Sequence, residues 1–165
     1  MKATLTALAC AGALLTAVVA RADNTADEAD IAFGLGNQAF VKRDYEKALS
    51  QYFLSNRLVP NRNVLFNIAR CFEALNRFDE AFRYYFELTG AGLAADDAKE
   101  VKQALARLTP KVALLTVTSQ PPGADVYVDR EDLGSRGRTP LTLALPPGAH
   151  TVLLKVGGFR GGEGK

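Results

Sequence analysis

Leu105-Ala106-Arg107-Leu108-Thr109-Pro110-Lys111-Val112-Ala113-Leu114-Leu115-Thr116-Val117-Thr118 is the stretch in which this chain changes period. Up to Leu108 apolar residues recur at three- and four-residue steps, the spacing of one helix face. From Val112 the chain is rich in β-branched and apolar residues and, further on, alternates with a period of two. Pro110 stands between the two patterns, where a helix has to stop. The chain therefore divides into a helical part and a β part.

Upstream, helical spacing links Ile31, Leu35, Ala39 and Phe40, then Ala48, Tyr52 and Ser55. It continues through Leu65, Ile68, Ala69, Phe72 and Leu75, then Ala81, Tyr85 and Leu88. Arg43-Asp44, Pro60-Asn61 and Asn76-Arg77 mark short links. The pattern predicts helices over 28–42, 45–57, 62–75, 78–90 and 95–108. Asp96 and Asp97 suit the positive start of the fifth. Asp44-Tyr45-Glu46-Lys47-Ala48 aligns with Arg77-Phe78-Asp79-Glu80-Ala81 at an offset of 33 residues, and Tyr52 aligns with Tyr85 at the same offset.

A helix pair recurring every ~34 residues is the tetratricopeptide period. Leu35-Gly36-Asn37, Asp44-Tyr45, Ala48, Tyr52 and Pro60 resemble a first repeat of that family. Ile68-Ala69, Phe72, Phe78, Ala81 and Tyr85 resemble a second, with Leu93 in place of the closing proline. Gly36, Ala48, Ala69 and Ala81 are small where helices must approach, and the aromatics fill the space between pairs. The helix at 95–108 is expected to cap the array, through Leu93, Val101, Leu105 and Leu108. The resemblance implies a concave groove lined by the first helix of each pair. Asn37, Phe40 and Val41 from the first repeat and Asn67, Arg70 and Glu73 from the second would face it, as candidate peptide-binding residues. Relatives that grip a C-terminal carboxylate carry asparagines where Asn37 and Asn67 stand, although Phe33 replaces a lysine. Ordinary repeat consensus is the simpler reading of the two asparagines, and a two-repeat groove implies modest affinity.

Downstream, 112–118, 124–129, 141–145 and 151–156 read as short strands separated by Gly/Pro turns. This half resembles the PEGA domain, a small β-sandwich of exported bacterial proteins. The naming turn reads Pro121-Pro122-Gly123-Ala124. Around it stand Thr116-Val117-Thr118-Ser119, Val126-Tyr127-Val128-Asp129, Gly134, Thr139-Pro140-Leu141, Leu145-Pro146-Pro147-Gly148-Ala149-His150-Thr151-Val152 and Gly158-Phe159. Arg130 departs from the usual glycine, and the loop at 134–138 is slightly long. Relatives continue into further strands. The expectation is therefore an open sheet edge that another chain or a second copy completes, or a fragment of a longer tetratricopeptide–PEGA protein.

Composition agrees with folded modules: 48% of the 165 residues are hydrophobic and 23% charged, which excludes a disordered or multi-span membrane chain. Lys and Arg number 20 against 18 Asp and Glu. Both surplus charges, Lys2 and Arg21, precede the first acidic residue, so nothing in the balance points to nucleic acid. Met1-Lys2, the apolar run Ala3–Ala20 and Ala20-Arg21-Ala22 read as an export signal cleaved after Ala22. Cys10 lies too close to Lys2 for a lipoprotein signal. Cleavage leaves Cys71 as the one cysteine, on an apolar face with Ile68, Phe72 and Leu75, where burial is expected.

Little in the sequence could carry chemistry. His150 is the one histidine, and no acid or nucleophile adjoins it in sequence, so a structural role near the turn is expected. Asp129, Glu131 and Asp132 match no calcium loop. Gly134-Ser135-Arg136-Gly137 lacks the Lys-Ser/Thr of a phosphate loop. The expected fold is α+β in two modules: a signal peptide over 1–22, tetratricopeptide-like repeats with a capping helix over 23–109, a PEGA-like antiparallel β-sandwich over 110–160 and a disordered tail over 161–165. The expected function is a non-enzymatic, exported, periplasmic or envelope-associated adapter with a protein or peptide partner, no nucleic acid, no metal and no cofactor. A carbohydrate- or peptidoglycan-contacting β-module is the rival reading, with Tyr127 and Phe159 its only aromatic residues.

Overall fold

The computed structural model describes residues 10–90, 92–156 and 162–164, with side chains described within 24–90 and 92–156. Met1-Lys2 and the first apolar residues of the expected export signal lie outside the described residues, as does Gly158-Phe159. Five helices precede a region of small antiparallel sheets, an α+β layout. The chain divides into two compact units, Met1–Leu75 and Asn76–Lys165.

The first unit holds α1 (Cys10–Val41), α2 (Tyr45–Leu58) and α3 (Arg62–Ala74). Its helix ends fall within a residue or so of the expected ones, with one exception: α1 begins at Cys10, not near residue 28. The reason is local. Residues 11–22 are mostly Ala, Leu and Val, with no Pro or Gly after Gly12, so nothing stops a helix before Asp23. At Arg43 the backbone is left-handed (φ 61°), and the Asp44 carboxylate accepts the Lys47 amide at 3.3 Å to start α2. Asn61 starts α3 in the same way, accepting the Asn63 amide at 2.8 Å. Ala29, Ala32, Ala39, Ala48 and Tyr52 are buried where α1 meets α2. Val64, Ile68, Ala69, Cys71 and Phe72 form the buried face of α3, and Phe72 meets Phe53 of α2 edge-on at 6.1 Å.

The second unit begins with α4 (Phe78–Thr89) and α5 (Ala95–Leu108), which pack through Ala81, Phe82, Tyr85, Leu88, Val101, Ala104 and Leu108. Six strands follow: β1 (Ala113–Val117), β2 (Asp125–Val128), β3 (Gly137–Arg138), β4 (Leu141–Leu145), β5 (Val152–Lys155) and β6 (Gly162–Gly164). β1 pairs antiparallel with β4, placing Ala113 opposite Leu145 and Val117 opposite Leu141. The other four form an antiparallel sheet in the order β3-β2-β5-β6. Val117 and Leu145 from the first sheet meet Val126 and Val128 from the second in one apolar core, with Leu115, Leu141, Leu143, Val152 and Leu154 packed around it.

Two of these strands differ from the expected pattern. β3 has two residues, too few for periodicity to register. Gly162–Gly164, expected to be a disordered tail, pairs with β5 instead, with Glu163 opposite Leu153. Ladder hydrogen bonds need only backbone groups, so a Gly-rich segment without a hydrophobic pattern can still complete an edge.

Candidate functional site

On the first unit, α1 carries Asn37, Phe40 and Val41, and α3 carries Asn67, Arg70 and Glu73. One contact that joins the two helices on this face is a stack. The Arg70 guanidinium carbon lies 4.7 Å from the centroid of the Phe40 ring, within cation–π range. Phe40 is half-buried and meets Tyr45 edge-on at 5.4 Å, while Val41 is 82% exposed. Asn67 and Glu73 are half-buried, about one helical turn to either side of Arg70.

Asn37 has a different task. Its Oδ1 accepts the Tyr52 hydroxyl at 2.8 Å, and Tyr52 is 1% exposed. A buried phenol needs such a partner. Burial, reinforced by Cys71 and opposed by Arg70, pushes the Tyr52 pKa up to about 12, so the hydroxyl stays a donor. Cys71 is buried as expected. Desolvation, opposed by Arg70, pushes its thiol up to about 12 as well, which keeps it protonated and unreactive.

In the β part, two polar clusters hold the turns. Thr139 is buried, and its hydroxyl accepts the amides of Gly123 (3.1 Å) and Ala124 (3.0 Å). Both lone pairs are then used, so its proton goes to Ser119 Oγ at 2.5 Å, and Ser119 donates to the Pro121 carbonyl at 2.7 Å. The second cluster is at the end of β2. Asp129 adopts a left-handed backbone (φ 60°), and its Oδ1 accepts the Thr151 amide at 3.0 Å. Its Oδ2 lies 2.8 Å from His150 Nδ1, and His150 Nε2 lies 2.8 Å from the Pro146 carbonyl oxygen. A carbonyl can only accept, and so can a carboxylate, so both ring nitrogens donate and the geometry suits an imidazolium. The acid that adjacency in sequence does not provide is therefore Asp129, brought to His150 by the β2–β5 pairing.

Residues 112–164 match the PEGA domain. No curated protein matches the chain. The match begins one residue before β1 and ends with β6, so it takes in all six of the described strands. Such a module is consistent with a surface- or envelope-associated protein. Among the described residues, no helix is long and apolar enough to cross a membrane.

Within the PEGA module the acidic loop is tied up by ion pairs. Arg130 Nε donates to Asp132 at 3.0 Å, and Lys155 pairs with Glu131. A groove of about 520 Å³ runs along β1, lined by consecutive residues from both faces of the strand, Leu114, Leu115, Thr116 and Val117 among them, with Leu145 and Val152 beyond. A more polar cleft of about 300 Å³ lies between α4 and β4, with Asp79, Glu80, Arg83 and Arg136 on its walls. Asp79 has its pKa raised, first by burial and then by its hydrogen bond to Glu80, whose carboxylate is paired with Arg77 at 2.5 Å.

The His150–Asp129 pair makes PEGA stability depend on pH. The hydrogen bond to Asp129, followed by that to Pro146, raises the His150 pKa above the ordinary 6.5. Its contribution is complete below that ordinary value and is lost as pH climbs through the raised folded value. Asp129 is depressed below 3.8, chiefly by His150 and then by the Thr151 amide, so its contribution is lost only as pH falls through that lowered value. Melting curves should show the midpoint falling as pH rises from the ordinary 6.5 through the raised His150 value. His150→Gln should flatten that dependence, and an equal slope in the variant would remove His150 as its source.

Proposed function

We propose that this chain is a non-enzymatic adapter of the cell envelope. The helical face around Phe40 and Arg70 takes a protein or peptide, and the PEGA module provides attachment to envelope or surface components. The observation that carries the reading is the Arg70–Phe40 stack beside exposed Val41: a cation and apolar surface held together on one face. Stacking pre-orients the guanidinium, which lowers the entropy lost when a carboxylate or carbonyl binds. The tetratricopeptide-like repeat of residues supports the same face as the recognition surface. The commitment of Asn37 Oδ1 to Tyr52 supports a structural part for that asparagine and leaves Arg70 and Phe40 as the principal contacts.

The test compares wild-type chain with a Phe40→Ser/Arg70→Glu variant, each immobilised and exposed to envelope extract. Proteins retained by the wild type should be lost from the variant, while the two share the same helical circular dichroism. Retention of the same proteins by both would remove this face from the function. Deleting 112–164 should release the remaining chain from the envelope fraction, and unchanged fractionation would remove the attachment role.

A further inference from the structure

We propose that β1 is a self-pairing edge, through which two copies of this chain associate antiparallel into a continuous four-stranded sheet, β4-β1-β1-β4. The proposal goes beyond the adapter reading and does not rest on it. Sheet edges in natural proteins are blunted by shortness, charge, proline or a covering element. Among the described strands, β3 has two residues including Arg138, and β6 has three including Glu163. β4 has α4 beside it, with Leu143, Ala144 and Leu145 on the wall of the cleft between them. β1 has none of these devices. It has five residues, no proline and no charge, and Leu114 is 50% exposed on it. Among the described strands its partner is β4, and a two-stranded sheet is marginal by itself. The groove runs along the strand, as expected where one more strand would fit.

The occupant that fits is a second copy. No ionisable side chain occurs from Val112 to Gln120, so the edge offers a charged partner strand nothing to pair with. Two copies running antiparallel oppose no like charges. A two-fold axis through Leu115 places Ala113 opposite the partner's Val117 and Leu115 opposite the partner's Leu115, all on the less exposed face of the strand. On the other side Leu114 lies opposite the partner's Thr116. Five residues from each copy form a small interface, so the dissociation constant should be on the order of 100 µM.

The experiment uses the protein as cells deliver it, with its N-terminus identified by mass, in sedimentation equilibrium over a concentration series. Wild-type chain should show a reversible monomer–dimer equilibrium. Leu114→Lys/Thr116→Lys puts like charges opposite one another at two exposed positions, and should weaken association by about tenfold or more. Leu114→Glu/Thr116→Glu should do the same. An equimolar mixture of the two variants should recover wild-type association, because the opposed positions then carry opposite charges. Circular dichroism of each variant verifies that the sheets persist. A wild type that stays monomeric at about ten times the expected constant overturns the proposal. So does a dimer insensitive to both variants, which would be using another surface. Failure of the mixture to associate overturns the antiparallel register and the proposal with it.

Discussion

Gly36→Ala is expected to destabilise the first unit by ~1–3 kcal/mol, despite placing the best helix former at a mid-helix glycine. A Cβ at Gly36 would lie 2.6 Å from both Cδ1 and Cε1 of Tyr52 and 3.1 Å from Cζ. That ring cannot move aside. It is 1% exposed, its hydroxyl is bound to Asn37 at 2.8 Å, and its face meets Phe33 with centroids 5.8 Å apart. The helices must separate instead, and the buried alanines around the ring lose contact. Removing the glycine would otherwise gain up to about 1 kcal/mol, which offsets only part of the clash. Denaturant melts of Gly36→Ala, Tyr52→Leu and the double variant form a cycle. The double variant should be more stable than the two single effects added together predict, because the smaller side chain frees the space. If Gly36→Ala matches or exceeds the wild type, the close approach of α1 and α2 is not what requires glycine there.

Thr139→Val should cost the PEGA module ~1–3 kcal/mol with almost no change of shape. The Gly123 amide keeps a partner, since it also donates to the Thr139 carbonyl at 2.9 Å. The Ala124 amide does not. Ala124 is fully buried, and the Thr139 hydroxyl is the acceptor its N–H loses. Ser119 loses the proton donated to it as well. Thr139→Ser keeps the hydroxyl and loses only a methyl group, so it should retain most of the stability. Hydrogen exchange at the Ala124 amide distinguishes the cases: accelerated in the valine variant, near wild type in the serine variant. Equal protection in all three would mean that the turn is held by its backbone alone.

Much of this is legible in the amino-acid sequence. Helical spacing and link residues located α2 to α5 closely, because amphipathic faces and caps are local features written every few residues. The extension of α1 to Cys10 was not legible, because a cleavage-site pattern is read for processing rather than for conformation. β6 was not legible either, because glycine backbone pairs without leaving a side-chain pattern. At the candidate site, Phe40 and Arg70 were both named from the repeat resemblance, whereas their stacking depends on the approach of α1 and α3. In the sequence Thr139 stands out only as part of a motif, and Asp129 only as part of a motif and of an acidic cluster that matches no calcium loop. A buried threonine before a proline and an aspartate closing a strand are weak signals until their partners, 15 and 21 residues distant, are in place.

The amino-acid sequence by itself determined the two periods, the change at Pro110 and the small residues where helices meet, since these follow from spacing and side-chain volume. Tertiary structure alone decided what those residues touch. It committed Asn37 to Tyr52, set Arg70 on Phe40, gave His150 two acceptors and left β1 the one long, uncharged edge among the described strands. Each of these depends on distances between segments far apart in sequence, and only packing sets them.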